Sequence, residues 1–343
     1  MGVADNMIRL QDVADELGVS RTTVSNVIHG RTKKVSKEVI ERITKYLDQK
    51  GYVPNPGVNV LATTRSRIIG IVIGYDESHG LNVMQDSFVS EFVGAVEKEA
   101  ERLGYYIMLI VGNNINKIVD IASPWSVDGL IILGLTSQEF KILNKKLNKP
   151  LVLIDSYTDE KLEYINIGID DFNGGYLIGE YLYKMGFKKA LFIAENEIAS
   201  EYYRWLGFKQ AMEHYMGFCS KSRFRLISKN QDIRFAQYRK SISEFINIGA
   251  LAFTSDYNAI EAMNYFIDMG IKIPDQISIT GFDDNMYATL VRPKLTTIRQ
   301  DVALKGITAM QKLYCIMNNE ETTYETVKIP VELKIRDSVK DIR

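Results

Sequence analysis

Between Arg21 and His29 one side of a short helix would carry only hydrogen-bonding side chains. At about 100° per residue, Arg21, Thr22, Ser25, Asn26 and His29 share a face, while Thr23, Val24, Val27 and Ile28 share the opposite one. Such a face suits nucleic acid. An arginine can hold guanine bidentately, an asparagine can hold adenine, and a threonine methyl can meet thymine; each could equally bind a phosphate or face solvent. The other reactive residues do not assemble into a catalytic or metal-binding pattern. His29, His79 and His214 stand far apart with no cysteine in zinc-ligand spacing. There is no Walker loop, no GxGxxG after a strand, no HExxH and no GxSxG elbow, and Gly174-Gly175 lacks the phosphate-loop pattern. No catalysis, metal or cofactor is expected.

The elements that must hold the polar face can be read around it. Leu10, Val13, Ala14 and Leu17 follow the i, i+3, i+4, i+7 stripe of a helix with one buried side, and Gly18 ends it. Ser20 can cap the helix that starts at Arg21 after a turn of three or four residues. A third helix is expected from Ser36, with Val39, Ile40, Ile43, Tyr46 and Leu47 inward and Gly51 as its left-handed stop. Two helices joined by a tight turn, the second with a polar face, make a helix-turn-helix able to enter a major groove. The charge agrees: residues 1–67 hold 11 Lys+Arg against 7 Asp+Glu, whereas the remainder holds 31 against 36. A basic head of +4 precedes an acidic body of −5, and the whole chain sums to only −1.

The body is large enough for two further cores, since 343 residues at 46% apolar and 25% charged describe an ordinary globular chain. From Ile68 the pattern alternates. Strands are expected at 68–74, 105–111, 128–133 and 151–155 with helices at 87–103 and 139–147. Helices at 174–185, 201–215, 235–246 and 259–269 then alternate with strands at 190–194, 224–227, 250–254 and 277–281. Such alternation builds parallel sheets covered on both faces, in two wound lobes with a ligand cleft outside the carboxyl ends of the strands. The longest apolar run is far short of the roughly 20 residues of a membrane helix, and two cysteines, Cys219 and Cys315, with no signal-peptide pattern predict a cytoplasmic protein.

The stretch Arg9 to Asn55, RLQDVADELGVSRTTVSNVIHGRTKKVSKEVIERITKYLDQKGYVPN, resembles the DNA-binding head of LacI/GalR-type bacterial regulators. The resemblance continues through DGLIILG, PLVLIDS, YLYKMGFKKALFIA, RWLGFKQAM, SDYNAIEAMNYFIDMGIKIPDQISITGFDD, RPKLTTIRQD and PVELKIRDS, nearly the whole chain. It implies a helix-turn-helix head at 1–54, a hinge helix and linker at 55–67, and a periplasmic-binding-protein-like effector and dimerisation domain at 68–343. In that domain the first lobe takes about 68–168 and 299–327, and the second about 169–298 and 328–343. Arg21, Thr22 and Asn26 then occupy base-reading positions, while Ser20, Thr23, Ser25, His29 and Lys33 suit phosphates. Asn55 can cap the hinge, and Leu61 matches the leucine that wedges into the minor groove. Pro56 and Gly57 depart from the family pattern, and a helical Gly costs about 1 kcal/mol relative to Ala, so the hinge is expected to depend more on DNA.

For the body the resemblance carries Asp155, Arg204, Asp283 and Ser255 or Asp256 to effector contacts, with Phe88 and either Tyr157 or Trp205 as the aromatic face. A guanidinium and carboxylates hydrogen-bond adjacent hydroxyls while a ring covers the apolar side of a sugar. Arg204 and Asp283 could instead form an interlobe salt bridge, Asp283 or Asp284 could cap the next segment, and Asp256 could cap a helix from Tyr257. The expected function is a homodimeric repressor of carbohydrate-use genes, bound to a pseudo-palindromic operator and controlled by a small sugar effector. The alternatives are a catabolite-type regulator answering to a partner protein, and a solute-binding protein.

Overall fold

The structure, a computed structural model, describes residues 9–28, 32–50, 65–74, 82–157, 164–217, 223–320 and 323–343, with backbone alone for Lys33 and Ser137. The chain forms two compact units, one through Ser66 and one from Arg67. In the first, α1 (Leu10–Leu17) ends at Gly18, whose φ of 64° suits a residue without Cβ and whose N–H turns back to the carbonyls of Ala14 and Asp15. Ser20 opens α2 (Arg21–Ile28) by accepting the Thr23 N–H at 3.0 Å. Ser36 does the same for α3 (Lys37–Gln49) through Val39. Val13, Ala14, Val24, Ile43 and Leu47 form the shared core, and Arg42 Nη2 donates to the Leu17 carbonyl at 2.8 Å, tying α3 to the end of α1. The expected helix stop at Gly51 lies outside the described residues.

The second unit holds two six-stranded sheets. The first lobe begins with β1 (Ile68–Ile73), α4 (Ser87–Arg102), β2 (Tyr106–Val111), α5 (Ile115–Ala122), β3 (Gly129–Leu133), α6 (Ser137–Leu147), β4 (Leu151–Ile154) and β5 (Ile165–Ile169). The second follows with α7 (Asp171–Lys184), β6 (Leu191–Ala194), α8 (Ala199–Met216), β7 (Phe224–Leu226), α9 (Gln231–Ile248), β8 (Ala250–Phe253), α10 (Asp256–Asp268), β9 (Ser278–Asp283), α11 (Tyr287–Leu290) and β10 (Thr296–Arg299). The chain then returns to the first lobe with α12 (Val302–Met317) and β11 (Thr326–Ile329), and ends in the second with β12 (Glu332–Lys334). The first sheet runs β11-β5-β4-β3-β1-β2, all parallel; the second runs β12-β10-β9-β8-β6-β7, with β12 alone antiparallel. It crosses between lobes after Ile169, after Arg299 and after Ile329.

Central strands are apolar runs because both faces are covered. Five of the six residues of β1 are buried. α4 and α12 pack on one face of the first sheet and α5 with α6 on the other. In the second lobe α7 and α8 cross closely because of their glycines. A Cβ on Gly175 would lie 1.8 Å from the Arg204 carbonyl oxygen, and one on Gly207 would lie 1.8 Å from that of Phe172. That contact sets the start of α7 beside Arg204. α5, β5 and the elements after β9 are additional to those expected from the sequence.

Candidate functional site

The head presents the polar face foreseen from spacing. Arg21 and Thr22 are exposed, Ser25 and Asn26 half-buried, and Val24 fully buried beneath them. The hydroxyls of Ser20 and Thr23 lie 2.8 Å apart, and Ser20 Oγ also holds the Thr23 N–H, so both help to build the helix start. His29, Asn55 and Leu61 lie outside the described residues, as does the Lys33 side chain.

In the body the carboxyl ends of β4, β8 and β9 meet the starts of α4, α7 and α12 in a seam between lobes. Arg204, on the buried side of α8, donates Nε to Asp171 Oδ1 at 2.7 Å and Nη1 to the Thr254 carbonyl at 2.6 Å. Its guanidinium carbon lies 3.6 Å from the Phe282 ring centroid. Burial opposes the charge of Arg204, yet the carboxylates of Asp171 and Asp283 outweigh it and raise its pKa, keeping it cationic. Tyr157, in the first lobe, donates its hydroxyl to the other oxygen of Asp171 and stacks on Tyr203. Burial, then the Asp171 and Asp155 charges, push the Tyr157 phenol upward in pKa, so it remains a donor.

A second chain of contacts runs beside the first. Lys305 Nζ donates to both oxygens of Asp155, at 2.9 and 2.6 Å, and to Gln300 Oε1 at 3.0 Å. Gln300 Nε2 donates to Asp283 Oδ1 at 2.6 Å. Asp155, in a left-handed conformation with φ 48°, and Asp283, with φ 126°, both hold backbone geometry unusual for a side-chain-bearing residue. Asp283 is pushed up to about 6 by burial, against the opposing pull of Arg204 and Gln300. Phe88 borders this group, its ring centroid 5.0 Å from Lys305 Nζ.

The structure thus gathers Phe88, Asp155, Tyr157, Arg204 and Asp283 in one region. The salt bridge of Arg204 is to Asp171 in its own lobe, not across the seam. Asp256 is fully buried and committed: Oδ1 accepts the Thr297 hydroxyl at 2.5 Å and Oδ2 the Asn285 N–H at 2.9 Å. Burial and the Asp283 charge raise its pKa, and a Cβ on Gly281 would strike it at 2.3 Å. It therefore braces β9 and β10, and α10 starts at Asp256 itself with Ser255 as cap, accepting the Asn258 N–H. Trp205, 3% exposed, packs on Phe192, Phe208 and Phe224 in the core and offers no face to the seam. Asp284 pairs with Arg336.

Asp171, Gln300 and Lys305 were absent from the sequence expectation. Only Lys305 left a readable sign: it interrupts the buried stripe Val302, Ala309, Met310, Leu313 and Met317 of α12. A separate cavity of about 150 Å³ beside the end of β2, lined by Ile110, Gly112, Asn114 and Lys117 among others, contains none of these residues. Among the described residues no helix is long and apolar enough to cross a membrane.

A helix-turn-helix unit joined to a two-lobed body, with a polar seam at the strand ends, defines a DNA-binding regulator carrying a ligand-binding domain of periplasmic-binding-protein type. Residues 9–55 match the family of bacterial regulatory proteins of the lacI type, and residues 180–339 match the periplasmic binding protein-like domain. The two matches together mark a lacI-type DNA-binding head on a periplasmic-binding-protein-like body. The transcriptional repressor PurR of Histophilus somni (strain 129Pt) is 26% identical over 344 residues, covering 98% of this chain and 100% of the relative. In fold the chain is similar to the lac repressor dimer bound to operator and the anti-inducer ONPF, with a TM-score of 0.84, 23% identity and coverage of 97% and 99% of the two chains. It is also similar to the regulator CelR in complex with cellobiose, with a TM-score of 0.72, 21% identity and coverage of 96% and 99%.

Proposed function

We propose that this chain is a cytoplasmic homodimeric repressor of carbohydrate-use genes whose hold on a pseudo-palindromic operator is set by a sugar in the seam. The observation that carries the sugar reading is a donor and an acceptor left over in the same seam. Among the described residues neither Nη2 of Arg204 nor Oδ2 of Asp283 has a hydrogen-bond partner, although their neighbouring atoms all do. A guanidinium N–H and a carboxylate oxygen together serve adjacent hydroxyls, one accepting and one donating. Phe88 and Tyr157 supply apolar faces beside them. Ser255, although it caps α10, retains a hydroxyl proton to donate.

Arg21, Thr22 and Asn26 are proposed to read base edges, with Ser20, Thr23, Ser25, His29 and Lys33 positioning phosphates, Asn55 capping the hinge and Leu61 entering the minor groove. One head buries too little surface for high specificity, so two are needed. Exposed Tyr106, Leu109 and Val111 on the free-edge strand β2, and Met286, Tyr287 and Leu290 around α11, support pairing with a second copy. The effector acts by binding one arrangement of the lobes better than another.

A purine base is the second reading, favoured by full-length relatives that are PurR repressors. One thermal-shift panel tests both. A true ligand at a hundred times its dissociation constant stabilises by about 2.7 kcal/mol. Response to a mono- or disaccharide supports the first reading; response to purine bases alone replaces it. Failure to prefer a palindromic site over random duplex, measured across salt concentrations, removes the operator reading itself.

A further inference from the structure

Two cations beside a ligand site ordinarily indicate a phosphate or carboxylate ligand. Here both are already matched. Arg204 is paired with Asp171. Lys305 is 0% exposed and uses its ammonium on Asp155 and Gln300, three acceptor contacts for three N–H donors. Among the described residues Asp283 has only an amide as its side-chain hydrogen-bond partner, and while the charges of Arg204 and Lys305 favour its ionised form, that of Asp86 opposes it. Four carboxylates, Asp86, Asp155, Asp171 and Asp283, thus stand against two cations.

A buried lysine in an apolar stripe costs several kcal/mol to desolvate, and a hydrophobic pair in place of Lys305 and Asp155 would hold the fold as well. The pair lies where charge would matter to a ligand: Asp155 keeps 20% of its side chain exposed, and Phe88 borders Lys305.

We propose that Lys305 is a specificity-determining residue: by spending all three of its N–H donors on Asp155 and Gln300, it leaves the seam with more carboxylates than free cationic donors, so that the site takes polyhydroxyl ligands without an anionic group and rejects their phosphorylated or carboxylated counterparts. This rests on the reading of the seam as the effector site. A phosphate brought to Arg204 meets Asp283 in surroundings that screen charge less than water does, and Lys305 has no donor left for it.

The test uses the full chain with ribose, ribose 5-phosphate, glucose, glucose 6-phosphate and inorganic phosphate as probes, read by calorimetry and thermal shift. Wild type is expected to bind neither inorganic phosphate nor the sugar phosphates. D155N, which frees the charge of Lys305, should gain affinity for the phosphorylated probes by at least about tenfold, equivalent to about 1.4 kcal/mol. D155N/K305M should lose that gain. D283N removes the surplus acid while keeping both members of the lysine pair and should produce a similar gain for inorganic phosphate, which makes no hydroxyl contact to lose, keeping the test sound if D155N folds poorly. Wild-type binding of a sugar phosphate more tightly than the matching sugar overturns the assignment, as does absence of any gain in both D155N and D283N. Wild-type indifference to ribose and glucose, together with the gain in the variants, supports the charge assignment and counts against the sugar reading alone.

Discussion

Replacing Arg204 by methionine separates what this residue does for the fold from what it does for a ligand. The guanidinium is buried against Phe282, holds Asp171 through Nε and closes the Thr254 carbonyl through Nη1. Methionine keeps much of the packing volume and removes the charge, leaving Asp171, 2% exposed, without a cation. Breaking a buried pair in this way costs about 3–5 kcal/mol. Tyr157 still donates to Asp171, and a stranded carboxyl can take up a proton, so the low end, about 3 kcal/mol, is expected. At about 2–4 °C per kcal/mol for a domain of roughly this size, the midpoint of R204M should fall by about 6–12 °C. The double variant R204M/D171N has no stranded charge and should regain about 2 kcal/mol relative to the sum of the two single changes. Effector binding should be lost in both R204M and R204M/D171N, because Nη2 is absent from each. A loss below about 1 kcal/mol in R204M, or strict additivity in the cycle, refutes the ion-pair argument. Unchanged effector binding refutes the ligand role.

Further outcomes follow from the same geometry. R21A should weaken operator binding by about 1–3 kcal/mol and relax preference at one base pair per half-site, measured by anisotropy on single-substitution duplexes at fixed salt; equal loss on every sequence would make Arg21 a phosphate contact. Asp283 should give opposite pH trends for stability and binding. Its folded value of about 6 lies above the ordinary 3.8, so its contribution to stability is complete below about 3.8 and is lost as pH rises through about 6. A ligand hydroxyl needs the carboxylate, so affinity should fall as pH drops through about 6, about tenfold by pH 5, and D283N should flatten both profiles. G207A pushes a methyl into the Phe172 carbonyl, which should cost about 1–3 kcal/mol by overpacking and weaken effector binding through displacement of Arg204; chemical denaturation and calorimetry together check it.

The sequence made the head legible because its information is local. Gly18, Ser20 and Ser36 act on backbone groups within a few residues, and an apolar stripe reports its own burial. The strand-helix alternation was legible for a similar reason, since β1 or β4 must be apolar on both faces wherever it lies in the sheet. The seam was legible only in part. Asp283 and Arg204 could be proposed from motif position, but Asp256 and Trp205 have residue types equally suited to a site, and only the Thr297 hydroxyl of β10 on Asp256 and the aromatic core around Phe192 on Trp205 remove them from it. Asp171 was missed because its partner is 33 residues away, and Lys305 because Asp155 is 150 residues away.

Those long separations are what make the seam a device for coupling. Gln300 sits on the second crossing, holding Asp283 of one lobe with its amide nitrogen and Lys305 of the other with its amide oxygen. A ligand that pulls on Asp283 therefore pulls on α12, which packs along α4 in the first lobe. Coupling requires that the ligand prefer one arrangement of these contacts over another. Q300L would leave Asp283 and Lys305 each short of one partner while leaving Nη2 of Arg204 and Oδ2 of Asp283 in place. Effector binding should then weaken less than the effector's influence on operator affinity, which should shrink toward none. Equal losses in both would mean that Gln300 serves the pocket alone and that the lobes communicate through their packed helices.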